Sequence, residues 1–200
     1  VFSLAWKYAN PEIITVAAKG YTGYANYYCD GVADEVEWND AITYITESRG
    51  AGEAHGVGDL FVLDARINGA SNLVWDGGLS TYRVTHSGYG IYFSGTTNVV
   101  VRDATFETSG SSSNHVRFED VLDGLIENIV SKDNAGAAAG AIHVGATATQ
   151  GGESYRIVVR GCWVQDALGF YMNIYFANDV VIENCRFTGD GVALTTQGRG

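Results

Sequence analysis

Chemistry at a protein surface needs groups that exchange protons, hold a cation or stack on a ligand, and this 200-residue chain offers four sets. The first is a row of acids, Asp103, Asp133, Asp166 and Asp190, each at or near the end of a short apolar run. A glycoside hydrolase needs two or three carboxylates facing one groove. Asp is also an ordinary turn residue, and these four read as solvated turn carboxylates. The second set, Asp30, Asp34 and Glu35, has the oxygen chemistry of a Ca²⁺ site. Turn formation and helix capping already account for those acids, so no metal and no cofactor is assigned. The third set is Cys29, Cys162 and Cys185, an odd number without a CxxC or a Cys/His cluster at zinc spacing. A disulfide scaffold is excluded as the main source of stability, and the thiols read as buried and inert. The fourth set is Arg66, Tyr92, Arg117, His143 and Tyr175, at steps of 26, 25, 26 and 32 residues. Stacked one above another, planar aromatic and cationic groups can lie against sugar rings. The same residue types also suit a half-exposed sheet face. The four histidines share no other spacing, and no Ser/His nucleophile triad can be assembled.

The elements that must position these groups are mostly short. A helix is expected over about 34–48, with Asp34 and Glu37 as a capping box, Trp38, Ala41, Ile42 and Ile45 at helical spacing, and Gly50 as the stop. Glu12 to Ala18 is β-rich, and a Tyr- and Gly-rich stretch follows from Gly20 to Gly31. After Gly50 the apolar period is two, with Gly, Asn, Asp and Ser between runs, the signal of many short strands.

Those runs repeat. Trp75, Val101, Ile126, Val159 and Ile182 share one column at steps of 26, 25, 33 and 23 residues. The next column, Asp76, Arg102, Glu127, Arg160 and Glu183, alternates in sign at every step. Parallel strands about 4.8 Å apart would place each charge between two opposite ones, an order that hairpins have no reason to produce. Ala104, Ile129, Cys162 and Cys185 fall in an inward column, followed by Phe106, Ser131, Val164 and Phe187. Asp103, Asn128, Gly161 and Asn184 mark a corner that wants left-handed backbone. A second strand family runs Ile91-Tyr-Phe, Val116-Arg-Phe, Ile142-His-Val, Ile174-Tyr-Phe and Val192-Ala-Leu, with Ala135 to Ala139 and Ala146 to Glu153 as loops. The architecture expected is all-β, a single-stranded right-handed parallel β-helix of about five coils with an N-terminal capping α-helix. Within one domain, residues 1–33 form a terminal strand and the Tyr/Gly-rich segment, 34–50 the capping helix and 51–200 the coils.

Twelve Lys and Arg against 23 Asp and Glu give a net charge of -11, which repels nucleic-acid phosphates and anionic lipid. No run approaches the roughly 20 apolar residues of a spanning helix, so membrane insertion is not expected. The chain starts at Val1 and its single Met is Met172, as expected of a chain whose leader or N-terminus has been removed.

The run from Tyr28 to Ile42, with Asp30, Gly31 and Asp34, then Gly58 to Leu63 and Ser71 to Trp75, resembles the N-terminal cap and first coils of pectate-lyase-like β-helix proteins. That superfamily holds polysaccharide lyases, polygalacturonase-type hydrolases, phage tailspikes and surface proteins without known activity. The resemblance implies that the helix plugs the start of the solenoid. The hydrolase group's paired Asp, Gly-His-Gly and Arg-Ile-Lys motifs have no match here, so no catalytic residue is assigned. An activity, if present, would be that of a lyase or hydrolase.

A further outward column, Val74, Val100, Leu125, Val158 and Val181, is an aliphatic stripe that something must cover. The strand-like Phe2, Leu4 and Trp6 can cover it within the chain or pair with a neighbour. With no helix to cap the end after Val192 to Leu194, these features lead to a first expectation of an extracellular, cell-surface or virion structural protein that assembles with itself. The alternative is a polysaccharide-binding or polysaccharide-cleaving module that uses the Arg66 to Tyr175 column.

Overall fold

The computed structural model describes residues 13–108, 114–133, 140–146, 152–167, 169–190 and 192–197. Phe2, Leu4, Trp6 and most of the two expected loops lie outside them. All the strand pairs are parallel, and each strand lies on the one from the coil before it. Three faces result. The first carries Ile67–Asn68, the starts of Tyr89–Thr108 and Asn114–Lys132, then Gly140–Gly145, Phe170–Tyr175 and Val192–Gln197. The second carries Ile13–Ala17, Gly52–Val57, Leu73–Asp76, the middles of the two long strands, Ser154–Arg160 and Ala177–Glu183. The third carries Leu60–Leu63, Thr81–Val84, the ends of the long strands, Trp163–Gln165 and Arg186–Thr188. The fold is the all-β parallel solenoid of about five coils that the repeat predicts.

Corners between the faces are made by residues that tolerate positive φ. Asp103, Asn128, Gly161 and Asn184 have φ of 56°, 53°, 63° and 54°, and Asn128 Nδ2 donates to Asp103 Oδ1 at 3.0 Å. Asn72, Asn98, Asp123, Arg156 and Asp179 form a second such column, with φ between 54° and 62°. At Gly161 a Cβ would lie 2.6 Å from Asn128 Oδ1, so a larger residue there would displace that side chain.

The helix spans Glu35–Arg49 and ends on Gly50, whose φ is 71°. Its buried stripe is Trp38, Ala41, Ile42 and Ile45. Trp38 closes the first coil, packing on Phe61, Trp75 and Tyr82 with ring centroids 5.5, 5.1 and 5.8 Å apart. The expected capping box does not form. Asp34 is the N-cap residue but makes no side-chain cap bond, because its carboxylate accepts from the backbone N–H of Gly31 and of Val62, both at 2.8 Å. A cap bond would leave those N–H groups without an acceptor in a fully buried place.

Candidate functional site

On the first face the alternation buries Ile91, Phe93, Val116, Phe118, Ile142 and Val144 and turns Tyr92, Arg117 and His143 outward. The column built by the register is Asn68, Tyr92, Arg117, His143 and Asn173. This corrects both ends of the expected column. Arg66 is displaced by Asn68, and Tyr175 by Asn173, because Ile142 pairs with Met172 and not Ile174. The last coil is shifted as well: Val192, expected beside Ile174, pairs with Phe170, and Leu194 pairs with Met172. A slip of two residues keeps every side chain on its own face, so period-two patterning is blind to it. The displaced residues still touch the column. Arg66 Cζ lies 4.6 Å from the Tyr92 ring centroid and its Nε donates to Asn68 Oδ1 at 2.8 Å. The Tyr175 ring meets His143 edge-on at 5.5 Å.

Arg117 is buried at the centre. Its Nη1 donates to the Tyr89 hydroxyl and its Nη2 to Glu119 Oε2, both at 2.6 Å. Tyr89 and Tyr92 stack at 5.1 Å, with the guanidinium 4.7 Å from the first ring centroid and 5.7 Å from the second. The Tyr92 hydroxyl donates to the same Glu119 oxygen at 3.0 Å. Glu119, Tyr89 and Asn173 are absent from the expected set. Glu119 was within reach of the pattern, being two residues past Arg117 and so on the same face; Tyr89 turns outward at a corner where alternation fails.

Burial, helped by the Arg117 charge, pushes the His143 imidazole down to about 4 against an opposing hydrogen bond to the Gly145 backbone, so the ring is neutral at pH 7. His143 and Asn173 are 2% and 1% exposed, and His143 Nε2 and Asn173 Oδ1 have no hydrogen-bond partner among the described residues. A buried polar atom left unpaired costs about 1–3 kcal/mol. Two of them lie in adjacent coils beside the stacked tyrosines and a guanidinium, and the partly exposed Tyr89 and Tyr92 rings are the part of this column that a flat ring can lie against. Among the described residues this face holds one carboxylate, Glu119, already paired with Arg117. Asp103, Asp133 and Asp166 sit at positive-φ corners and do not converge on it.

The other candidate sets serve the scaffold. Asp30 Oδ1 accepts from Val32 N–H at 2.9 Å and Glu35 Oε2 from Asp64 N–H at 3.0 Å, so with Asp34 all three acids of the expected cation set bind backbone. Glu53, His55 and Asp76 converge closely enough to hold an ion. The Arg102 guanidinium already lies there, 2.8 Å from Asp76 and 3.4 Å from Glu53. In the group of Cys29, Asp34 and Glu37, burial and the nearby acids push the thiol well up, which disfavours the thiolate. One pairing was not visible in the sequence: His115 is held by Ser131 Oγ on Nδ1 and Thr108 Oγ1 on Nε2, both at 2.6 Å. Burial takes its pKa down to about 3, and His115 and Ser131 are 0% exposed, so the pair lies in the core with no access for a substrate.

The aliphatic column is in register: Val74, Val100, Leu125, Val158 and Val181 follow one another up the second face. Val100 and Leu125 are buried while Val181 is 43% exposed. Of the two stacked core thiols expected, Cys162 is buried, but Cys185 is only half-buried.

The fold and this face define a class, a parallel β-helix carrying a polar and aromatic column on the outside of one sheet. The family described as right handed beta helix region matches residues 65–200, and the chain belongs to it. No curated protein matches the chain. Among solved structures it is similar to one described as "a putative glycosyl hydrolase from Parabacteroides merdae ATCC 43184", at 14% identity and a TM-score of 0.62, covering 80% of this chain and 83% of that one. That likeness establishes the fold.

Proposed function

We propose that this protein binds polysaccharide along its first face, with Tyr92, Arg117, His143 and Asn173 as successive contacts. The observation that carries the reading is the partly exposed Tyr89 and Tyr92 stack, braced by Arg117 and Glu119, with the unpaired acceptors His143 Nε2 and Asn173 Oδ1 further along the same column. Sugars bring the matching groups, hydroxyl donors at every ring and flat C–H faces for aromatic contact. The structural neighbour described as a glycosyl hydrolase supports the same direction. Binding is favoured over two-carboxylate cleavage because Glu119 is the one acid on this face among the described residues and is already ion-paired. A location outside the cell, where such polymers are met, is part of the proposal.

Screening the protein on an array of neutral and acidic glycans tests this. A bound class should appear, and Tyr92→Ala should weaken it at least about tenfold, the loss of one ring contact and the brace on Glu119. Absence of binding across the array, or full binding by the variant, overturns the reading.

A second reading, assembly between copies, rests on the exposed end of the aliphatic column at Val181. Sedimentation at high concentration tests it. Oligomers that Val181→Asp disperses would support it, and a strictly monomeric parent would end it.

A further inference from the structure

We propose that Cys162 and Cys185 are a redox pair that closes into a disulfide joining two consecutive coils. Arg160 pairs with Glu183 and Trp163 with Arg186, so the two cysteines face each other across adjacent rungs. The Arg186 N–H donates to the Cys162 carbonyl at 2.8 Å. Neighbouring parallel strands place such residues about 4.8 Å apart, inside the Cα window of roughly 4.4–6.8 Å that a disulfide spans. The sulfurs also occupy equivalent places. Cys162 Sγ lies 3.4 Å from the Arg160 carbonyl and 4.0 Å from that of Ile126; Cys185 Sγ lies 3.5 Å from Glu183 and 3.7 Å from Val159, the same two contacts one coil later. Both thiols are free, and Cys185 is the less buried of the two.

The two sulfurs are poised unequally. Each thiol acts on the other, holding Cys185 down and, together with burial, pushing Cys162 up. Cys185 is also the more exposed of the two, so Cys185 is the attacking thiolate and Cys162 the resolving thiol. The oxidant is a small disulfide such as oxidised glutathione. The Cys185 thiolate attacks one of its sulfurs, breaks that S–S bond and releases one glutathione thiolate. Cys162 then gives its proton to that thiolate and attacks Cys185 Sγ, expelling the second glutathione. Two protein thiols are oxidised and one glutathione disulfide is reduced.

Both cysteines fall in one tryptic peptide, residues 161–186. Native protein is held with excess oxidised glutathione at about pH 8, denatured, alkylated and digested without reductant. The expected peptide is lighter by two hydrogens and takes up no alkylating reagent. The oxidised protein should melt about 5 °C or more above the reduced one, since the bond closes a loop of 22 residues, and Cys185→Ser should abolish that difference. A peptide alkylated twice, or one holding glutathione on Cys185 with Cys162 still alkylated, overturns the proposal.

Discussion

Two outward columns run up neighbouring faces of the same solenoid and are built on opposite terms. On the second face the charges from Asp76 to Glu183 alternate, and the described ion pairs include Arg102 with Asp76 at 2.8 Å and Arg160 with Glu127 at 2.6 Å. His55 extends the column below Asp76. Each charge from Asp76 to Glu183 is in register with an opposite one in the next coil, and an exposed pair of this kind is worth well under about 1 kcal/mol. On the first face Arg117, His143 and Asn173 are buried, Arg117 is fixed between two tyrosines and Glu119, and two acceptors go unpaired among the described residues. A column that satisfies itself specifies register. One that leaves acceptors unsatisfied at a cost to stability is the place to look for a ligand.

Acid should act through two buried imidazoles, His143 of the first-face column and His115 of the core. His115 and His143 are held neutral in the fold, with pKa values of about 3 and about 4, whereas unfolded histidine protonates near 6.5. The unfolded chain therefore binds more protons below about 6.5. Their contribution is fully present above that pH, and is lost as pH falls through 6.5 towards 4, a loss on the order of a few kcal/mol. Urea unfolding across that window measures it, and a flat profile would show that these rings are not buried neutral.

Removing the central cation comes next. Arg117→Ala strands Glu119 and the Tyr89 hydroxyl, at a cost of about 2 kcal/mol in unfolding free energy. A cost near zero would mean that the cluster is solvated. The unpaired acceptors should behave in the opposite sense. Asn173→Leu removes a buried acceptor without a partner, so it should leave stability unchanged or raise it by up to about 1 kcal/mol while abolishing glycan binding. A substantial loss of stability would show that Asn173 is a structural residue.

The smallest effect belongs to the charge ladder. Arg160→Glu puts three carboxylates in successive coils, between Glu127 and Glu183, and should cost about 1 kcal/mol at low ionic strength, fading with added salt. Thermal unfolding equal to the parent at low salt would contradict the ladder.

The fold was legible because its signals are chemical as well as periodic. The alternating charges and the Asp103 to Asn184 corner fix the second face to a single register, and the structure reproduces both. The site was legible only at its centre. Tyr92, Arg117 and His143 follow loops of similar length, but the chain between His143 and the next coil is longer, and Met172-Asn-Ile and Ile174-Tyr-Phe satisfy the same alternation. Hydrogen bonds from the Val62 N–H to the Asp34 carboxylate and from Arg117 to Tyr89 join residues 28 apart, and no local pattern announces them.

The central claim, that the first face and not the ladder meets the ligand, is tested most directly by ¹⁵N spectroscopy of the histidine rings during titration with the oligosaccharide chosen from the array. His143 reports the first face and His55 the ladder. The account predicts that the His143 ring resonances move saturably as sugar covers the column beside them, while the His55 resonances stay in place. A His143 resonance that never moves while the sugar binds, or a response confined to His55, would contradict it.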